Sequence, residues 1–167
     1  GESFTDKILA GTLEPELYNQ GLKVLSKIYS QMPTKSFDPQ YLESRITEQV
    51  EEMDVHDYLK RNLYDILSQH DFTQSIHVFC KDAHSDNFGE KNNKIIVYDT
   101  EDKNVVPLSF EIAHYLFCIP FYDDHKKRKE LIHRNYHQFS SIHGSHQDPK
   151  EYEKEVMDVA LYRCATK

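Results

Sequence analysis

Apolar residues recur at the three- and four-residue spacing of amphipathic helices over most of the chain. This spacing predicts one long or two abutting helices over 40–70, and single helices over 13–32, 109–119, 123–142 and 148–165. The first helix has Pro15 in its first turn and Pro33 just beyond its end, which are common start and stop signals. The chain is therefore expected to be mostly helical.

Two short segments depart from the helical pattern and favour β-strands. Residues 75–80 and 94–98 are rich in β-branched and aromatic side chains. The segments that follow them, 81–93 and 99–107, are polar and predict loops. The expected fold class is α+β, mostly α-helical, with a small β-hairpin element whose loops display polar side chains on a rigid base.

Charge and composition limit the classes of partner. The chain has 28 Asp and Glu against 20 Lys and Arg, a net charge of −8. Proteins that bind a phosphate backbone carry the opposite balance, so nucleic acid is not an expected partner, and long-range steering favours a cationic small molecule. No apolar run has the length of a membrane span. The three cysteines, Cys80, Cys118 and Cys164, are widely spaced and odd in number, which favours a reducing, cytoplasmic location for the protein. Each lies among apolar neighbours, so its side chain is expected to be buried.

Two further features have both a functional and a structural interpretation. His133 and His137 lie four residues apart on a predicted helix, a spacing that suits Zn²⁺. The segment is strongly polar, which favours a solvated helix surface instead. The basic run 126–129 is interpreted in the same way, as a solvated helical turn rather than a phosphate site.

The informative stretch is 80–101, which contains Asp82, then Asn87 five residues later, then Asp99 after the next apolar strand. Kinase-type phosphoryl transfer needs a carboxylate for the attacking hydroxyl, together with an amide and a second carboxylate for Mg²⁺. Asp and Asn are also common in turns for local hydrogen-bonding reasons. If Asp82 and Asp99 did not converge, an unrelated helical interaction domain would be the better hypothesis.

The sequence CKDAHSDN at 80–87, with YDTE at 98–101 and SFEIA at 109–113, resembles the aminoglycoside phosphotransferase and choline kinase family. The family patterns are H-G-D-x-H-x-x-N, I-D-[WFY]-E and x-F-D-[IL]-A. The resemblance implies the C-terminal lobe of a protein-kinase-like fold that uses ATP and Mg²⁺. It assigns Asp82 and His84 to catalysis, Asn87 and Asp99 to the metal, and Glu101 to the substrate or metal pocket.

Three motif positions depart from the family, where Cys80, Lys81 and Thr100 replace His, Gly and an aromatic residue. An alternative register that starts at His84 requires Asn at position 91, which is Lys91. Two functions remain open. One is an ATP-dependent kinase acting on an aminoglycoside-, choline- or sugar-like hydroxyl. The other is a non-catalytic pseudokinase or helical binding module.

The resemblance also divides the chain. Residues 1–12 are expected to be a hinge-like segment and 13–167 a helical C-terminal lobe. The strands, phosphate-covering loop and nucleotide-binding Lys of the family's N-terminal lobe have no counterpart in the sequence. We therefore expect the chain alone to be inactive, because ATP binding needs that lobe. The face that the lobe would cover is expected to favour self-association.

Overall fold

The computed structural model describes residues 2–98, 104–117, 125–144 and 147–166. Over these ranges the fold is α+β and mostly helical. Its helices are α1 (Phe4–Leu9), α2 (Pro15–Tyr29), α3 (Pro39–Glu51), α4 (Asp57–Ser68), α5 (Leu108–Phe117), α6 (His125–His143) and α7 (Pro149–Ala165). The predicted helices are confirmed over the described residues, with ends that differ by up to three residues; the predicted helix end at 118–119 and helix start at 123–124 lie outside the described residues. In the described part of the chain, no helix is both long enough and apolar enough to cross a membrane.

Short polar residues fix where several helices begin. The carboxylates of Asp38 and Asp148 accept backbone N–H groups at the starts of α3 and α7, each directly before a proline. The segment 40–70 forms two helices because His56 caps α4, accepting the N–H of Tyr58 on its Nδ1 at 3.2 Å. The local sequence therefore determines where these three helices begin.

Five short strands form two antiparallel sheets. Strands β1 (Glu2–Ser3), β3 (Phe88–Lys91) and β4 (Lys94–Val97) pair in the order β1-β3-β4. Strands β2 (His77–Phe79) and β5 (Val105–Pro107) form the second sheet. The two predicted strands, β2 and β4, are confirmed but lie in different sheets. The hairpin partner of β4 is β3, which the sequence placed in a polar loop.

The β3–β4 hairpin closes through Asn92 and Asn93, with φ angles of 53° and 59°. Two consecutive left-handed residues form the tight turn that matches strand twist, and Asn tolerates this conformation. The hairpin returns the chain toward the loop that precedes β3.

Helix α5 forms the centre of the core. Every residue from Leu108 to Leu116 is buried, and the helix packs chiefly against α7. Tyr115 of α5 stacks on Tyr18 of α2, with ring centroids 4.6 Å apart, and each hydroxyl donates to the other residue's backbone carbonyl. Because α5 is enclosed, any polar side chain on it needs a buried partner.

The segment 1–12, expected to be a hinge, contains β1 and α1. Helix α1 begins with a capping box between Ser3 and Asp6. Its Phe4 is fully buried and stacks on Phe88 at 5.5 Å between centroids. This segment is thus packed against the hairpin that follows the candidate site.

Candidate active site

The candidate site is built on the loop 80–87, which connects β2 to β3. At its start, the backbone N–H of Cys80 donates to the carbonyl of Asn104 at 2.8 Å, next to β5. At its end, residues Ser85–Asn87 form a 3₁₀ turn, and His84 Nδ1 accepts the N–H of Asp86 at 3.2 Å. Both ends of the loop are therefore fixed to the sheets.

Asp82 adopts an unusual backbone conformation at the centre of this loop. Its φ is 48°, in the left-handed region that Asp tolerates better than most side chains. Its carbonyl oxygen accepts the backbone N–H of His84 at 2.7 Å and the Nδ2 of Asn87 at 2.8 Å. The five-residue spacing between Asp82 and Asn87 thus corresponds to a direct hydrogen bond between the two.

Glu111, in the first turn of α5, fixes the loop through hydrogen bonds to its side chain. Its side chain is fully buried and accepts three consecutive backbone N–H groups. Asp82 donates to Oε1 at 3.2 Å, Ala83 donates to Oε2 at 3.1 Å, and Lys81 also donates to Oε1. Burial raises the pKa of Glu111, while the hydrogen bonds from Lys81 and Ala83 oppose that rise.

The Asp82 carboxylate lies between two imidazoles. Its Oδ1 is 3.3 Å from His114 Nδ1, and its Oδ2 is 3.2 Å from His84 Nε2. The hydrogen bond with His114 lowers the pKa of Asp82 to about 2, helped by the charge of His84 and opposed by partial burial. The side chain remains 52% exposed, so a carboxylate held in its ionised form faces solvent.

Asp82 lines a cavity of about 330 Å³. The loop contributes Asp82, His84, Ser85 and Asp86, α5 contributes His114, and α3 and α7 contribute Gln49 and Arg163. A larger groove of about 1110 Å³ lies elsewhere and is lined by none of the predicted site residues. The smaller cavity is the candidate ligand site, because it is lined by three residues that were predicted from the sequence or that contact a predicted one: Asp82, His84 and His114.

The structure brings three of the five predicted site residues together: Asp82, His84 and Asn87. The other two, Asp99 and Glu101, lie outside the described residues, as does Thr100. The backbone N–H of Tyr98, the residue before Asp99, donates to the carbonyl of Asn87 at 2.7 Å. The chain is therefore anchored to the candidate loop immediately before the predicted second metal ligand.

Asn87 has the chemistry expected of a magnesium ligand. Its side chain is largely buried, and its Nδ2 is tied to the Asp82 carbonyl, so the amide is oriented with Oδ1 as its acceptor end. Amide and carboxylate oxygens suit Mg²⁺. Within 2–98, 104–117, 125–144 and 147–166, no cluster of three His, Cys, Asp or Glu side chains could hold a metal. Of the metal pair predicted from the sequence, Asn87 and Asp99, only Asn87 lies among the described residues.

Other candidate features of the sequence have structural roles. His133 Nε2 lies 2.6 Å from Glu153, which also pairs with Lys129 at 3.2 Å, so the imidazole is part of a surface ion-pair network. The expectation that the cysteines are buried is wrong for Cys164, which is exposed on the outer face of α7, and holds only in part for Cys80, which packs against the core but is partly exposed. Cys118 lies outside the described residues.

Three residues of the site were not identified as such from the sequence: Glu111 as a brace, His114 and Arg163. Glu111 and His114 lie three residues apart on α5, a buried and mostly apolar helix. Two polar residues on one face of a buried helix are a recognisable signal of a shared polar partner. Arg163 lies far along the chain and gives no such local signal.

Comparison with known proteins identifies no relative of this chain. No family model, no curated protein and no solved structure matches it. The motif residues and the contacts that they make therefore remain the basis for a function.

Proposed function

We propose that this chain is the C-terminal lobe of a protein-kinase-like small-molecule kinase of the aminoglycoside and choline type. The observation that carries the proposal is the loop 80–87, in which Asp82 and Asn87 are hydrogen-bonded and Glu111 accepts three loop amides. The family resemblance independently marks Asp82, Asn87 and the acidic start of α5. The agreement of spacing, motif and contacts supports a catalytic loop.

In this proposal, Asp82 orients the hydroxyl of the acceptor. A carboxyl with a pKa of about 2 is ionised at neutral pH and accepts a hydrogen bond from that hydroxyl. As the acceptor oxygen bonds to the γ-phosphorus of ATP, the bond from that phosphorus to the bridging oxygen breaks and ADP leaves. The hydroxyl proton passes to Asp82 late in the reaction, because so weak a base accepts it only once the new bond is forming.

His84 and His114 have a positioning role. They contact different oxygens of the Asp82 carboxylate, so together they fix its orientation toward the cavity. Asn87 and Asp99 would hold Mg²⁺, which when bound neutralises charge on the nucleotide phosphates. Glu101 stays a predicted pocket residue.

A pseudokinase is the second candidate, favoured by the motif departures at Cys80, Lys81 and Thr100. Lys81 occupies the position of a small family residue, and its Nζ lies 6.0 Å from the Phe79 ring. A lobe of this kind could keep the loop and the metal site without turnover.

Metal binding tests the site on the chain itself. We expect Mn²⁺, a spectroscopic substitute for Mg²⁺, to bind and to broaden the NMR signals of Asn87. Asp99→Ala should abolish this binding without unfolding the protein, whereas Asp65→Asn, an exposed carboxylate of α4, should not change it. Equal Mn²⁺ affinity of Asp99→Ala and the wild type would contradict the assignment.

Turnover tests the mechanism, and under the proposal it is measured with the N-terminal lobe of the family present, because that lobe completes the ATP site. Release of ADP in the presence of hydroxyl-bearing acceptors should fall by orders of magnitude in Asp82→Asn, with nucleotide affinity retained. Wild-type turnover in that variant would place the base elsewhere. Mn²⁺ binding through Asn87 and Asp99 with no turnover for any acceptor would favour the pseudokinase.

A further inference from the structure

One cation lining the cavity beside Asp82 is not used by the chemistry proposed above. Arg163 lies in the last turn of α7, and its guanidinium carbon is 5.8 Å from the centroid of the Phe110 ring. Among the described residues, no Asp or Glu forms an ion pair with Arg163, and its Nε is buried without a hydrogen-bond partner. A partly buried guanidinium without an anionic partner has donors to satisfy.

The hydrogen-bond donors near Arg163 suit an anion at this position. Asp82 attracts Arg163 through space but forms its close contacts with His84 and His114, and not with the guanidinium. Gln49, on the α3 side, has its Oε1 held by the hydroxyl of Tyr162. Gln49 therefore mainly offers the N–H donors of Nε2 to a ligand. Arginine and amide donors together suit a carboxylate or a phosphate group.

The position of Arg163 distinguishes the acceptor from the nucleotide. Arg163 and Asp82 line the same cavity, whereas Asn87, the proposed metal ligand, does not line it. Nucleotide phosphates would lie on the metal side of the loop. The anion that Arg163 contacts therefore belongs to the molecule whose hydroxyl lies at Asp82. A cavity of about 330 Å³ is at the small end of ligand sites.

We propose that Arg163 binds the carboxylate or phosphate of a small hydroxyl-bearing acceptor and so selects hydroxy acids or phosphorylated polyols over cationic amino-alcohols. This inference rests on the proposed function and changes its substrate class. The net charge of −8 describes the whole surface. The cavity lining carries the carboxylates of Asp82 and Asp86 as well as Arg163 and two imidazoles. The expected preference therefore comes from the guanidinium and amide donors that touch the anion, and not from the net charge of the lining.

The test uses the chain without ATP or divalent metal and compares matched three-carbon and two-carbon probes. D-glycerate and glycerol 3-phosphate carry the anion, glycerol lacks it, and ethanolamine carries the opposite charge. Binding is measured by calorimetry and by changes in the NMR signals of His84 and His114. We expect saturable binding of at least one anionic probe. Ethanolamine and glycerol should bind at least tenfold more weakly.

Substitutions of Arg163 decide whether the side chain is responsible. Arg163→Gln should lower the affinity for the anionic probe at least tenfold. Arg163→Lys should retain part of that affinity because it keeps the positive charge. Arg134→Gln, an exposed arginine of α6 that lines a different cavity, should bind like the wild type. Circular dichroism of each variant establishes that it is folded.

Several results would overturn the inference: no saturable binding of either anionic probe, preference for ethanolamine, or unchanged affinity in Arg163→Gln. Tripolyphosphate controls for the nucleotide. If only its affinity depended on Arg163, the residue would be a nucleotide contact, which is also incompatible with the proposal. Because these assays contain no metal, their failure with intact Mn²⁺ binding leaves the kinase proposal standing. Arg163-dependent binding without Mn²⁺ binding contradicts the kinase proposal, and with it the role of Arg163 in selecting an acceptor, and leaves only an anion site at Arg163.

Discussion

Removing the Glu111 carboxylate should destabilise the protein far more than removing a typical glutamate. The side chain is fully buried, and Lys81, Asp82 and Ala83 all donate backbone N–H groups to it. Glu111→Ala leaves these three donors without their acceptor and creates a cavity under the loop. The left-handed conformation of Asp82, at φ 48°, also loses the contact that holds it.

The magnitude follows from the number of donors. A buried donor left unsatisfied costs about 1–3 kcal/mol. The loop amides of Lys81 and Asp82 are only partly buried, so water can replace part of the loss. Glu111→Ala should therefore lower the free energy of unfolding by about 3–5 kcal/mol. Glu111→Gln keeps Oε1 but turns a donor toward the Ala83 N–H, and should cost about 1–3 kcal/mol.

Urea unfolding followed by circular dichroism and tyrosine fluorescence measures these changes, since the chain has no Trp and 11 Tyr. Amide hydrogen exchange at Lys81 and Ala83 should accelerate in both variants. Glu43→Ala, an exposed glutamate of α3, is the control and should change stability by less than about 0.5 kcal/mol. A loss below about 1 kcal/mol in Glu111→Ala would refute the bracing role.

Three further predictions concern local features of the fold. The pKa of Asp82 is lowered from 3.8 to about 2, so its ionised form stabilises the fold above about pH 4, and this contribution is lost as pH falls through 2. The substitution His114→Asn should move the NMR titration midpoint of Asp82 toward 3.8. An unchanged midpoint would contradict the pairing of Asp82 with His114. Asn93→Gly should raise the urea midpoint, by about 0.5–1 kcal/mol in stability, because Gly adopts the left-handed turn without strain; a lower midpoint would contradict it. A Cβ at Gly21 would collide with the hydroxyl of Tyr115, so Gly21→Ala should lower the free energy of unfolding by about 1–2 kcal/mol despite the better helix propensity of Ala. Adding Tyr115→Phe should recover part of that stability in the double variant. Additive effects of the two substitutions would argue against the collision.

The helices could be predicted because their signals are local. The apolar stripes indicate a helix, and the proline at the first position of α2, α3 and α7 marks where each of these helices begins. The shorter elements could not. Strand β3 reads FGEK, and β5 is three residues long and ends in Pro107, so neither shows the alternation of a half-buried strand. Pairing with β4 and β2 decides these segments, which is a tertiary effect.

The candidate site divides in the same way. The step from Asp82 to Asn87 lies within one loop, so its spacing could be interpreted from the sequence. The brace at Glu111 was visible only as an acidic helix start, and its three hydrogen bonds depend on how α5 packs beneath the loop. Arg163 is 81 residues beyond Asp82. Only the packing of α7 on α5 brings it to the cavity, and no local pattern encodes that packing.

The contacts of Asp82 also bear on whether it is an ordinary turn residue. Asp38, Asp71 and Asp148 all act as caps, since each carboxylate accepts a nearby backbone N–H. Among the described residues, no backbone N–H donates to the Asp82 carboxylate, which contacts two imidazoles and faces the cavity. The carboxylate that satisfies the loop amides belongs instead to Glu111. A carboxylate that caps no backbone N–H of its loop, and that faces a cavity in a conformation held by other residues, differs from these capping aspartates, and this difference supports the proposed ligand site.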